Sequence, residues 1–520
     1  MNKRTLIYAL ACGAMVLSGC TKNFPEYNKE QYGVTNEDLK STPLGGTELE
    51  TMIKWVIGDQ ENGWQMYQDL PGVLSGMINT PGFQTQFIKY TPPTGWNDYP
   101  YEDTFKNMYK AYNPLLVKLS EDKTGPAYAL GQVLHESTAM RLADVYGPIA
   151  HSKVTGASLR VPYDTQKEFY TNLLKILRES SEALDASPSG ASLYAPYDNV
   201  FGGDMHKWAT YARSLMLRAA IRISAVEPAI AKEAAEYAVS KGVITTNAQN
   251  TEQASADNPL VKTMTNWGDT RVGADIVEYM KAFKDPRIPV YFTPVASRGD
   301  IPFGMRGFED SEKARNVDYS VAVFKEEDPK KAKIMWFSAA EATFLRAEGA
   351  LLGWNMGGTA KELYEQGIKL SCEQWGVNVG DYLSVTSKRG GFVDPKYPKS
   401  NMPDFKSNIT VSWDEAAGDA EKQLSKIITQ KYIALFPYGA VEAWTEWRRT
   451  GYPNLMPALM NNSNGEVKDI TQVNGKDQGG MRRLRFTLDE RTSNKANVDA
   501  AIQDLGGADS YATDLWWVKH

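Results

Sequence analysis

Cysteine is nearly missing from this chain: three residues in 520, at positions 12, 20 and 372. No disulfide framework can be built from so few, and a chain of this length can bury a large core without one. Histidine is scarce as well. His135, His151, His206 and His520 fall in no HExxH or other metal-ligand spacing. The G-x-S-x-G elbow, the P-loop and the dinucleotide fingerprint are absent, so no motif marks a nucleophile, a phosphate cradle or a cofactor. Neither a catalytic residue, a metal nor a cofactor is expected. Basic residues do not outnumber acidic ones (57 against 63, net charge −6) and form no run, which argues against nucleic acid as a partner. No stretch reaches the roughly 18 continuous apolar residues of a membrane-spanning helix.

What the chain does have begins at its start. "MNKRTLIYALACGAMVLSGC" places Lys3 and Arg4 before a mostly apolar Leu6 to Leu17, then small Ser18 and Gly19, then Cys20. That is the plan of a secretory signal, and its small-small-Cys ending is the bacterial lipoprotein form. Residues 1–19 are expected to be removed and Cys20 to carry lipid. Buried acyl carbons contribute about 0.8 kcal/mol per CH₂, so two or more chains anchor a protein stably. Loss of Lys3 and Arg4 deepens the net charge from −6 to −8. Residues 20–40 are polar and turn-rich and read as a tether, leaving 41–520 as one domain. Cys372, in "KLSCEQW", reads as a small buried apolar residue.

Helical periodicity dominates that domain. "EDTFKNMYKAYNPLLVKLS" and "AYALGQVLHESTAMRLADVYG" are candidates. In "DTQKEFYTNLLKILRESSEAL", Phe169, Leu173, Ile176, Leu177 and Leu184 recur at helical spacing behind a Thr165…Glu168 capping box. "SAAEATFLRAEGALLGW" and "TAKELYEQGIKLSCEQWG" open with the boxes Ser338…Glu341 and Thr359…Glu362. Together they span close to the roughly 34 residues of a tetratricopeptide unit, which predicts adjacent antiparallel helices over Ser338–Trp375. Helix content should exceed the roughly one-third average of globular proteins, with few, short strands. Between the helices, residues 60–101, 245–270, 286–335 and 376–420 carry no helical period. Loops this long are usually functional, so the helices read as scaffold and the insertions as working surface.

Aromatics are plentiful: 13 Trp, 27 Tyr and 17 Phe. Sugar rings present C–H faces that stack on indole and phenol rings, while their hydroxyls bond Asn, Asp and Arg. "PPTGWNDYPYED" supplies both classes: Trp96, Tyr99 and Tyr101 as platforms, Asn97 and Asp98 as polar partners. The same stretch also reads as a Pro-rich loop pinned to the helices by its rings. Trp444 and Trp447, three apart in "EAWTEWRRTGYP", share a helix face and are expected in the core with paired arginines. Asp285, Pro286 and Arg287 are expected to hold a turn.

The stretches "MRLADVYGPIAHS" (140–152), "DPRIPVYFTP" (285–294), "FSAAEATFLRAEGAL" (337–351) and "ITQKYIALFPYGAVEAWTEWRRTGYPNL" (428–455), together with the LSGC signal, resemble the SusD/RagB family of Bacteroidetes outer-membrane lipoproteins, in its Susd-and-RagB-like branch. The resemblance implies a mainly α fold, four tetratricopeptide-like helical pairs under long loop-rich insertions. It implies a lipid-anchored position on the cell-surface side of the outer membrane, capping a SusC-type TonB-dependent transporter barrel. It further implies capture of an oligosaccharide, or in some systems an oligopeptide, without cleavage and with no cofactor. Trp96 lies in a region comparable to the N-terminal aromatic loop of the family's starch-binding member. Two rivals stand beside this reading: an oligopeptide-binding lid, and a surface glycoside hydrolase working through a carboxylate pair about 5–10 Å apart.

Overall fold

A computed structural model describes residues 44–519, apart from short stretches at 59–60, 65–67, 82–85, 155–157, 159, 189–193, 308–314 and 325. The chain divides into two compact units, Met1–Gly46 and Thr47–His520, and the architecture below belongs to the second. Residues 1–19, Cys20 and the whole 20–40 tether lie outside the described residues.

The longer helices are α1 (Gly46–Ile57), α2 (Thr94–Lys118), α3 (Pro126–Tyr146), α4 (Gln166–Asp185), α5 (Met205–Arg222), α6 (Pro228–Lys241), α7 (Ala274–Phe283), α8 (Ala339–Leu351), α9 (Ala360–Gln374), α10 (Ala420–Ala434), α11 (Ala440–Thr450) and α12 (Lys495–Leu505). Their starts follow local chemistry. Thr165 and Thr359 close full capping boxes: each hydroxyl accepts from the N3 amide (3.1 and 3.2 Å), and each N3 glutamate accepts from the cap amide (2.9 Å in both). Ser338 caps α8 in the same way from its own side, accepting from Glu341 N at 3.1 Å. The Glu341 carboxylate does not return to it; it pairs with Arg218 of α5 at 2.7 Å. A long-range cation outcompetes the local box.

Consecutive helices pack as pairs. α2 lies on α3, α4 on α5, α8 on α9 and α10 on α11, while α6 covers α5 and α5 also meets α8. The short connection between α8 and α9 makes them run antiparallel, as expected for Ser338–Trp375. Gly367 permits their close approach, since a Cβ there would sit 2.7 Å from the Phe344 ring. Strands are short among the described residues. β1 (Ile78–Asn79) pairs with β3 (Arg271–Val272), β2 (Thr251–Gln253) with β4 (Ile334–Phe337), and β5 (Thr471–Val473) with β6 (Lys476–Gln478), all antiparallel.

Where the pairs meet, the interior is ionic. Arg222, fully buried on α5, reaches Glu442 (2.5 Å) and Glu446 (2.7 Å) of α11 and Asp144 (3.3 Å) of α3. Lys431 of α10 pairs with Glu442 at 2.6 Å, and Arg449 of α11 with Glu348 of α8 at 2.7 Å. Burial opposes charge on these groups, and only mutual pairing makes it tolerable. Trp444 and Trp447 are buried, as their spacing predicts, and the Arg448 guanidinium lies 3.7 Å above the Trp444 ring. Cys372 is buried. The Asp285–Arg287 turn is stronger than anticipated: Arg287 grips Asp285 at 2.5 and 2.8 Å and also bonds Ser371 of α9 and Gln430 of α10.

The insertions are irregular but packed. Phe303, Tyr319, Phe392 and Phe405 form a second small core with Met305 and Met456. Arg298 lies 4.2 Å over the Phe303 ring while bonding Asp394 at 2.7 Å. The loop face therefore has a rigid base.

Candidate functional site

The aromatic-polar run at 96–101 is not a loop. It occupies the first two turns of α2, which starts at Thr94 instead of near Glu102 and carries Pro100 and Pro114 inside it. Gly95, Asn97, Asp98 and Pro100 are poor helix formers, and contacts from the far end of the chain override them. Asn97 donates to Arg485 O at 3.0 Å and accepts from Arg485 N at 3.0 Å; Asp98 accepts from Leu488 N at 3.0 Å. Tyr146 donates to Asn97 O at 2.5 Å.

Trp96 is only 9% exposed and packs on Phe87 with ring centroids 4.7 Å apart. The expectation that it stands exposed on a loop is corrected. Tyr101 is also buried, stacked on Phe105 at 4.9 Å and edge-on to Tyr146. Asn97 and Asp98 are buried as well, their side chains spent on backbone partners. Of the five, only Tyr99 is partly exposed; burial and the neighbouring Asp103 push its hydroxyl pKa up.

Tyr99 opens onto a cleft of about 680 Å³ between the start of α2 and residues 487–493. Glu102, Asp103, Asp489 and Glu490 face Lys106 there, making the cleft acidic. Burial pushes the Glu102 carboxyl up, and Asp489, Asp98 and Glu490 add to it. Two of these acids are tied into structure, Asp98 by Leu488 N and Glu490 by Tyr163 (2.7 Å) and Asn494 (2.8 Å). A second pocket, about 270 Å³, is lined by Trp336, Trp375, Phe436 and Tyr438 with Glu252 and Lys333. Its volume falls below the roughly 300–1,000 Å³ of ordinary ligand sites, too small for an oligomer.

The exposed tryptophan that the sequence did not single out is Trp267. It is 42% exposed, at the end of a five-residue π-helical turn, Lys262–Asn266. Its backbone is held: Trp267 N donates to Lys262 O at 2.9 Å. Gly268, at φ 75°, then reverses the chain and accepts from Asn316 Nδ2 at 2.7 Å. Arg271 locks the turn from below, donating to Asn316 O (2.9 Å) and Met264 O (2.7 Å). The bond from Asn316 ties this turn to the 315–317 segment, where Arg315 and Val317 are exposed, and Thr265 and Asn266 are exposed next to Trp267 in the chain. An exposed indole on a backbone fixed by hydrogen bonds has the geometry a stacking platform needs. Its signal in the sequence was "TNWGDT", a tryptophan flanked by polar residues and a glycine.

Packed helical pairs that carry long irregular insertions define a mainly helical protein with loop-rich insertions. The chain belongs to the SusD-like family, described as Susd and RagB outer membrane lipoprotein, whose profile matches residues 26–518. Among solved structures it is similar to a chitin-binding SusD homologue from Flavobacterium johnsoniae (35% identity, 92% of this chain and 99% of that one, TM-score 0.82). Similar too are SusD homologues from Bacteroides uniformis (35%, 92% and 99%, 0.82) and Bacteroides thetaiotaomicron (33%, 92% and 99%, 0.81). Comparison with curated proteins finds no match. No helix among the described residues is long and apolar enough to cross a membrane.

Proposed function

We propose that this chain is a cell-surface lipoprotein that binds a nutrient oligosaccharide on its loop face, without cleaving it. It delivers the ligand as a lid to a SusC-type TonB-dependent outer-membrane transporter. The observation that carries the binding step is the exposed Trp267 indole on a turn whose backbone is held by Lys262 O and by Asn316, with exposed Asn266 next to it in the chain. The chitin-binding relative supports a glycan as the ligand class. Tyr99 is the part-exposed residue among those anticipated at 96–101 and shares its cleft wall with Asp98 and Tyr101, while Trp96 and Asn97 serve packing.

Titration with a panel of soluble oligosaccharides, chitin fragments included, and of oligopeptides tests this. Saturable binding of a glycan that is recovered intact is expected. Binding confined to peptides would replace the glycan with the rival ligand, and shortened products would make the chain a hydrolase.

The anchor is proposed to be lipid on Cys20, exposed once residues 1–19 are removed, with 20–40 as its tether and 41–520 as the binding domain. Cys20→Ala should leave a folded protein that no longer partitions with membranes, because that side chain is the proposed point of lipid attachment. A membrane-bound pool of normal size in that variant, measured by fractionation, would rule the anchor out.

A further inference from the structure

Three buried side chains converge between α3 and the segment that follows it. His135 and Glu136 are neighbours on α3, and His151 comes back to them after the helix ends. Their nitrogen and carboxylate donors lie within 4.8 Å of one another. His135 Nδ1 is 3.0 Å from Glu136 Oε1, and His151 Nε2 is 2.9 and 3.0 Å from the two Glu136 oxygens. We propose that His135, Glu136 and His151 form a buried structural site for a divalent transition metal, of which zinc suits the donors best.

The outward nitrogens support it. A metal-bound imidazole ordinarily has its second nitrogen held by an oxygen, which fixes the ring and its tautomer. His135 Nε2 is held by Tyr109 Oη at 2.9 Å; His151 Nδ1 makes no hydrogen bond among the described residues and lies 3.6 Å from Asp164 Oδ2, within ion-pair reach. Both rings therefore turn their free nitrogens toward the same carboxylate. Two imidazole nitrogens and one carboxylate make a three-residue donor set, which suits zinc at about 2.0–2.2 Å; calcium and magnesium prefer oxygen alone. The site is closed, as structural zinc sites are, so the metal would enter during folding. It would tie the middle of α3 to the chain at Ile149–Asp164, whose ends already bridge each other. The spacing of these residues matches no ligand motif because the fold, not a local turn, assembles them.

A metal-free alternative uses the same atoms: a protonated His151 between Glu136 and Asp164. Refolding the mature chain from denaturant with zinc, then desalting and measuring metal by mass spectrometry, separates the two. About one zinc per chain is expected, with a raised melting temperature over refolding in EDTA and visible ligand-field bands when cobalt replaces zinc. His151→Gln and His135→Gln should each lose most of the metal, and His206→Gln should keep it. Should the first two fail to fold, X-ray absorption at the zinc edge of the unaltered chain decides, with two imidazoles in the first shell expected. Substoichiometric zinc with unchanged melting, or an edge spectrum without imidazole scattering, would overturn the proposal.

Discussion

Replacing Arg222 with methionine should cost about 3–5 kcal/mol of folding stability, the scale of a buried ion network broken from one side. The substitution removes a cation that touches Asp144, Glu442 and Glu446 inside the protein and leaves all three carboxylates short of a partner. Because α3, α5 and α11 meet at that point, the loss is felt by more than one helical pair. Lys495→Ala is the contrast. Lys495 bonds Asp499 at 2.7 Å on an exposed helix face, and such pairs contribute about 0.3–0.5 kcal/mol. Denaturant midpoints of the two variants measure the difference. A midpoint for Arg222→Met close to that of the unaltered chain would mean the network is not the joint between the pairs.

Trp96→Ala should lower stability by about 3–5 kcal/mol, the range for deleting a large aromatic from a core. Its ring is seated against Phe87 under the start of α2, and the two turns it belongs to are held by backbone contacts from residues 485–488. Ligand affinity should change little once the protein is folded. Melting curves and titrations on the same sample check this. A large affinity loss with unchanged melting would restore Trp96 to the binding face.

Local chemistry was legible in the sequence. Thr165…Glu168 and Thr359…Glu362 close as boxes because both partners sit within one turn. Trp444 and Trp447 are in the core because three-residue spacing puts them on one face. Glu341 reads as half of a box from its neighbours, yet its partner Arg218 lies far away in the chain, where no local pattern points. The same limit explains α2. Gly95, Asn97 and Pro100 argue locally for a loop, and only bonds to Arg485 and Leu488 make the stretch helical. Aromatic content directed attention to candidate stacking platforms, but composition cannot separate a buried ring from an exposed one. Trp267 differs from Trp96 in its surroundings: polar turn residues on both sides, against prolines and tyrosines that join a core.

The measurement that bears most directly on the proposed ligand face is calorimetric titration of one bound glycan into Trp267→Ala and Trp96→Ala side by side. The predicted result is a loss of about 1–3 kcal/mol of binding free energy for Trp267→Ala, roughly 5- to 150-fold in Kd, at unchanged melting temperature. Trp96→Ala should show the reverse, with melting lowered and Kd kept. Full affinity in Trp267→Ala would contradict the assignment of this face as the site of capture.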